Sequence, residues 1–251
     1  MAYEIESYWN DVASQLKNRN DGGEIAGDDD PFYFYKRKSF LNLFRQQKFQ
    51  NKKVLEVGSG PGGNLEVLLD LLPKHIAGAD ISDRMIEIAR SNPKLQSVTF
   101  NKTDGKSLPF NNGDFDVIYT VTVLQHIVDE NMLKALIDEI CRVSNAEVLI
   151  FERIEKSRKE SPTNVGRTVQ EYSEMFNKHG FALSHAESLQ ISVSYYVSGA
   201  IRKIFNSNKR KEGEPQSTLA VGLQKLLLPL TKIIDPLVPT SRDLTLLHYK
   251  K

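Results

Sequence analysis

The sequence predicts an α/β fold with a mostly parallel sheet and helices on both faces. Three observations predict it. Between Lys53 and Ile154, strand-like apolar runs alternate with segments of helical spacing. The run FDVIYTVTVL is almost continuously apolar, as a strand covered on both faces should be. A glycine-rich turn, VGSGPGG, joins the first strand to the first helix of that series.

The elements follow in order. KKVLEVG reads as a strand, and GGNLEVLLDLL places Leu65, Leu68, Leu69 and Leu72 at helical spacing. HIAGAD is the second strand. Ser82 is placed to cap the helix DRMIEIARS, which stops before Asn92-Pro93. SVTFN and FDVIYTVTVL are the third and fourth strands. DENMLKALIDEICRV is a helix with acids in its first turn, and AEVLIFERI is the fifth strand. VQEYSEMFNKHGF predicts a helix stopped by Gly180, followed by the strand ALSHAESLQI. RDLTLLHYKK reads as a final strand. The stretch between those two strands is too long for a hairpin loop. It predicts a helical insertion, with a helix at YYVSGAIRKIF, a polar stretch and the apolar segment LAVGLQKLLLPLTKIIDPLVP.

The chain has 251 residues, 40% hydrophobic and 26% charged, enough for one α/β domain with an appended piece. Its net charge of +1 gives no electrostatic case for nucleic acid. A single cysteine, Cys141, sits beside an apolar helical stripe and reads as a core thiol. The N-terminus does not read as a signal peptide, no apolar run has transmembrane length, and the expected location is cytoplasmic. No His, Cys or carboxylate cluster has metal-ligand spacing, so no metal is expected.

The glycine turn leaves two cofactors open. Gly58, Gly60 and Gly63 spell the dinucleotide pattern, and Asp80 ends the second strand where ribose hydroxyls would lie. Both features suit NAD, and both suit any adenosine-containing cofactor. Glu56, two residues before Gly58, separates them. A carboxylate there repels a pyrophosphate and attracts an ammonium or sulfonium group. Asp104, just after the third strand, is placed to meet an adenine amino group.

VLEVGSGPG, GADIS, TDGKSLPF and FDVIYTVTVLQHI occur in the order and spacing of class I S-adenosylmethionine-dependent methyltransferases, a family the chain resembles from about Lys53 to Ile154. The resemblance implies a Rossmann-like, seven-strand mostly parallel sheet whose last strand is inserted antiparallel. It implies that Glu56, Gly58, Ser59, Gly60 and Gly62 wrap the methionine part of the cofactor. Asp80 would take the ribose, and Ile81 and Met85 would lie against the adenine. Asp104 and the Gly105 backbone would meet the adenine amino group, and Thr120 and Val121 would border the methyl donor. Gly63 becomes an early helix residue. The implied cofactor is S-adenosyl-L-methionine, leaving as S-adenosyl-L-homocysteine.

Within that frame His126, after the fourth strand, is the candidate general base for an oxygen acceptor, with a structural role as its alternative. DDDPFYFYKRKSF reads as capping chemistry at a helix start, or as a lid in which Tyr35 or Arg37 reaches the cofactor's carboxylate. Tyr8 and Trp9 belong to the same cover. The expected organisation is an N-terminal helical lid (1–50), a methyltransferase domain (51–194 and 241–251) and a helical cap (195–240). The segment 219–238 is expected to be a helix pair packed on the domain. An interfacial element meeting a membrane or a lipid-linked substrate, with NKRKEG meeting anionic headgroups, stays open. The expected acceptor is a small molecule or a glycan, methylated at oxygen. N-methylation of a small amine, a non-catalytic adapter and an NAD oxidoreductase are the rivals.

Overall fold

A computed structural model describes residues 4–16, 30–207, 214, 216–238 and 243–251. Asp28, Asp29 and the NKRKEG stretch lie outside the described residues.

Among the described residues seven strands form one sheet: β1 (Lys53–Val57), β2 (His75–Asp80), β3 (Thr99–Lys102), β4 (Phe115–Val121), β5 (Ser144–Ile154), β8 (Ala182–Ser188) and β9 (Asp243–Lys250). Two short strands, β6 (Lys159–Ser161) and β7 (Asn164–Gly166), pair apart from it as a hairpin that the sequence pattern does not announce. The sheet order is β3-β2-β1-β4-β5-β9-β8. The first five strands are parallel, and β9 runs antiparallel between β5 and β8. The strand order reverses between β1 and β4. Their carboxyl ends therefore open a crevice, where ligands of open α/β sheets bind.

Helices α3 (Gly63–Leu69), α4 (Asp83–Ser91), α5 (Glu130–Val143) and α6 (Val169–Asn177) cover the sheet. Ser82 caps α4 through the Met85 amide, and a capping box of Thr168 and Glu171 starts α6. The two faces bury separate cores. One gathers Phe44, Phe49, Tyr119 and Phe151, and the other gathers Leu133, Ile137, Phe176 and Tyr249. Cys141 lies in the second, where burial pushes its thiol up to about 12.

Four more helices lie outside this sandwich, and the first two of them in the chain reach the crevice. α1 (Ile5–Leu16) packs on α4. α2 (Pro31–Arg45) packs on the hairpin of α7 (Ser192–Phe205) and α8 (Thr218–Ile234). Asp30 caps α2 through the Tyr33 amide. The expectation of a helix pair within 219–238 fails. α8 runs unbroken through Pro229 and ends in a single 3-10 turn, Asp235–Leu237. Pro229 is exposed, so its ring meets water rather than a packed neighbour.

Candidate active site

The turn after β1 is built from inside. The amides of Gly58 and Ser59 both donate to the Ala79 carbonyl (2.7 and 3.1 Å). The Gly60 amide donates to Asp80 Oδ2 (2.7 Å), and the Gly62 amide donates to the Ser59 carbonyl (3.1 Å). Pro61 has no amide to give. Gly60 stands at φ +52°, and a Cβ there would meet nothing within 4 Å, so the loop leaves open space over Gly60.

Two adjoining cavities open above this loop, with about 710 and 940 Å³ of empty space. They share Trp9, Gly58, Gly60, Val121 and Thr122. The first is apolar and runs past Asp80, Ile81, Met85, Thr103 and Gly105. The second is polar and runs past Ser59, Lys36, Arg37, Asn64, Gln125 and His126.

Asp80 is buried at the crossing of β2 and the loop. One carboxylate oxygen accepts from the Gly60 amide and the other from the Ser82 amide (2.8 Å). Burial raises its pKa, and the two amides pull it back. Each oxygen keeps a lone pair for a further donor. Glu56 is fully buried and lines neither cavity. It accepts from Asn64 Nδ2 (2.8 Å) and the Tyr119 hydroxyl (3.0 Å). Desolvation pushes its carboxyl up to about 8, against the pull of those two hydrogen bonds and the nearby Arg37. Arg37 donates to Asn64 Oδ1 (2.9 Å) and to the Gly63 carbonyl (3.0 Å), which ties α2 to the start of α3.

Several expected residues fall elsewhere. Asp104 is exposed and outside both cavities. Its Oδ1 accepts from the amides of Lys106 and Ser107 and from the Ser107 hydroxyl, a turn that keeps the carboxyl low. Thr103 and Gly105, its neighbours, face the apolar cavity instead. Thr120 is fully buried and donates to Glu152 (2.9 Å). Thr122 and Val123 take the wall beside Val121. Gly62 lies beneath the loop, where a Cβ would come within 2.4 Å of Leu95 Cδ1, and Gly63 is the one that borders the polar cavity. The Tyr35 hydroxyl donates to Asp235 (3.0 Å) and its ring carries Lys232, on the far side of α2 from the cavity.

His126 borders the polar cavity, edge-on to Trp9 at 5.1 Å between ring centroids. Its Nδ1 lies 3.2 Å from the Thr163 carbonyl, so Nδ1 carries the proton and Nε2 the lone pair. The Gln125 amide donates to that Nε2 (3.2 Å), while Gln125 Oε1 accepts from the Arg153 amide (3.0 Å).

The loop holding Gln125 and His126 depends on two residues that the sequence reading missed. Glu152, fully buried on β5, accepts from the Thr120 hydroxyl and from the amides of Val123, Leu124 and Gln125. Arg167, also fully buried, donates to the carbonyls of Leu124 and Ile127 and pairs with Glu130. A charge inside the apolar run of AEVLIFERI was the available signal for Glu152.

A crevice at the sheet's switch point, a strand-end acid over a glycine turn and an antiparallel β9 are the architecture that the resemblance to class I S-adenosylmethionine-dependent methyltransferases implies. Residues 54–147 match the family described as methyltransferase domain. Among curated relatives, the chain is 28% identical over 147 residues to the O-methyltransferase cnsE of Penicillium expansum, covering 57% of the chain and 48% of that protein. It is 30% identical over 144 residues to phosphoethanolamine N-methyltransferase 1 of Arabidopsis thaliana, covering 52% of the chain and 28% of that protein. The matches thus span half or less of those relatives' own length. In fold, the chain resembles the S-adenosylmethionine-dependent methyltransferase of Mesorhizobium loti, with a TM-score of 0.55 at 13% identity over 84% of the chain and 96% of that structure.

Proposed function

We propose that the chain transfers a methyl group from S-adenosylmethionine to oxygen on a small-molecule or glycan acceptor. One observation carries the choice of cofactor. Every amide of the loop from Gly58 to Gly62 is spent inside the protein, and Pro61 has none, so these residues have no amide to cradle a pyrophosphate. A phosphate-free adenosyl cofactor asks for none. The open space over Gly60 and the Ser59 hydroxyl, buried without a partner beside the cavity, fit such a ligand.

When bound, S-adenosylmethionine supplies a methyl group already activated on a sulfonium. The residues here then have to hold, align and dry the site. Asp80 offers its free lone pairs to ribose hydroxyls, and Ile81, Met85 and the Gly105 backbone border the adenine. Gly58, Ser59, Gly60 and Val121 border the methionine part. Arg37 faces its carboxylate, and Glu56 is a countercharge held behind Asn64. Trp9, standing between the cavities, keeps water from the junction. His126 Nε2 takes the acceptor's proton once the acceptor hydroxyl replaces Gln125 as its donor. In this reading residues 1–50 are the cover, and 195–240 cap the domain formed by 51–194 and 241–251. A small amine acceptor is the second reading, favoured by the likeness to the Arabidopsis N-methyltransferase.

Titration calorimetry tests the cofactor. S-Adenosylhomocysteine should bind and NAD should not, and Asp80→Ala should weaken binding about tenfold or more. Binding of NAD instead, or of neither, would overturn the reading. Release of S-adenosylhomocysteine over a panel of sugar, phenol and amine acceptors tests the chemistry. His126→Ala should lower that turnover roughly 10²-fold with cofactor affinity kept. A rate near normal would remove His126 from the reaction.

A further inference from the structure

The α7–α8 hairpin is amphipathic the wrong way round for a protein bathed in water. The face of α8 that packs inward carries Gln224, Thr231 and, in the turn after it, Asp235 among its buried residues. These polar groups are all used. Gln224 accepts from the Phe32 amide, Thr231 meets Ser194 Oγ (2.7 Å), and Asp235 accepts from Ser194 and Tyr35. The inward face of α7 is similar, with Ser192, Ser194 and Ser198 buried.

The outward face is apolar. Leu219, Leu226, Leu230 and Ile233 follow one another at separations of seven, four and three, a single stripe on a helix of 3.6 residues per turn. They are 61–73% exposed, and Leu237 continues the stripe at 77%. Tyr196, Ile204 and Phe205 add exposed apolar surface on α7. Lys225 and Lys232, seven residues apart and both exposed, form a row along one flank of the α8 stripe.

Charge decides what covers this face. Among the described residues of 192–238 the basic side chains are Arg202, Lys203, Lys225 and Lys232, of which Arg202 pairs with Asp30 and Lys232 lies over the Tyr35 ring. The described acids of that span are Glu214 and Asp235, and Asp235 is buried. The exposed side chains of this face are therefore basic on balance. Two copies meeting through this face would bring like charges together, whereas an anionic lipid surface complements them. No helix among the described residues is long and apolar enough to cross a membrane, so the hairpin would lie in the interface plane.

We propose that the outer face of α7 and α8 docks the protein on an anionic lipid bilayer. The hairpin holds α2 from the side opposite the polar cavity, to which α2 supplies Lys36, Arg37 and Phe40, so docking would anchor the helix on which that cavity depends. The proposal stands on the surface alone and does not rest on the methyl-transfer reading.

Flotation of the full chain with vesicles tests it. The chain should float with phosphatidylcholine vesicles containing about one quarter phosphatidylglycerol, and far less with phosphatidylcholine alone or in high salt. Leu230→Ser with Ile233→Ser should weaken vesicle binding about tenfold or more without lowering the melting temperature, since both side chains are exposed. Lys225→Gln should cost about fivefold, on anionic vesicles only. Failure of the native chain to bind vesicles, binding indifferent to these substitutions, or a dimer in solution that Ile233→Glu dissolves would each overturn the proposal. S-Adenosylhomocysteine affinity, measured alongside, reports on the cofactor site separately.

Discussion

Glu56 is buried at the end of a strand, and desolvation there favours its protonated form against the pull of the Asn64 and Tyr119 hydrogen bonds. Its folded value of about 8 lies above the ordinary 4.5. The stability it contributes is fully present below pH 4.5 and is lost as the pH rises through about 8. A cation bound near Glu56 reverses the preference and favours the carboxylate. Binding of S-adenosylhomocysteine, whose ammonium group remains after methyl loss, should therefore release a proton at pH 7 and tighten between about pH 6 and 8. Calorimetry in buffers of different ionisation enthalpy measures that proton, and binding without proton exchange would remove Glu56 from the role of countercharge. That Glu56 and Asp80 end β1 and β2 in buried positions was legible in the sequence, because a lone acid at the end of an apolar strand has few places to go. Asp104 carried the same signal and misled, because Lys106 and Ser107 offered it a local turn that no spacing rule reveals. Glu152 showed only as a charge inside an apolar run, and the roles of Glu152 and Arg167 were illegible because their partners come from a loop 27 to 43 residues away in the chain.

At the scale of elements, α2 is the piece on which the polar cavity depends, and it is held from behind. Asp235 accepts from the Tyr35 hydroxyl and from both the amide and the hydroxyl of Ser194, joining α2, α7 and the end of α8 at one carboxylate. Asp235→Ala leaves those donors without their partner in a dry place. It should cost about 2–4 kcal/mol in urea denaturation, and Asp235→Asn, which keeps an acceptor oxygen, should cost less. Equal losses would show that packing rather than hydrogen bonding sets the junction. The helices covering the sheet were legible from their apolar periodicity and caps. The junction was not, because Tyr35, Ser194 and Asp235 are polar residues, and sequence patterning places such residues toward water.

The whole molecule is organised by one strand. β9 lies between β5 and β8, pairing with both over its length. Its antiparallel direction was legible only through the family resemblance, since nothing in RDLTLLHYKK states its orientation. The insertion has a further effect during translation. Until residues 243–250 emerge from the ribosome, β5 shows a bare edge and β8 has no neighbour at all. Meanwhile α7 and α8 have already been made, with an apolar face outward and a half-finished sheet behind them. A nascent chain arrested with residues up to 238 exposed should be cut rapidly by protease, and one exposed to 251 should resist. Equal resistance would mean that the earlier strands close without β9. The sheet is thus sealed only after the hairpin has had its first opportunity to find a surface.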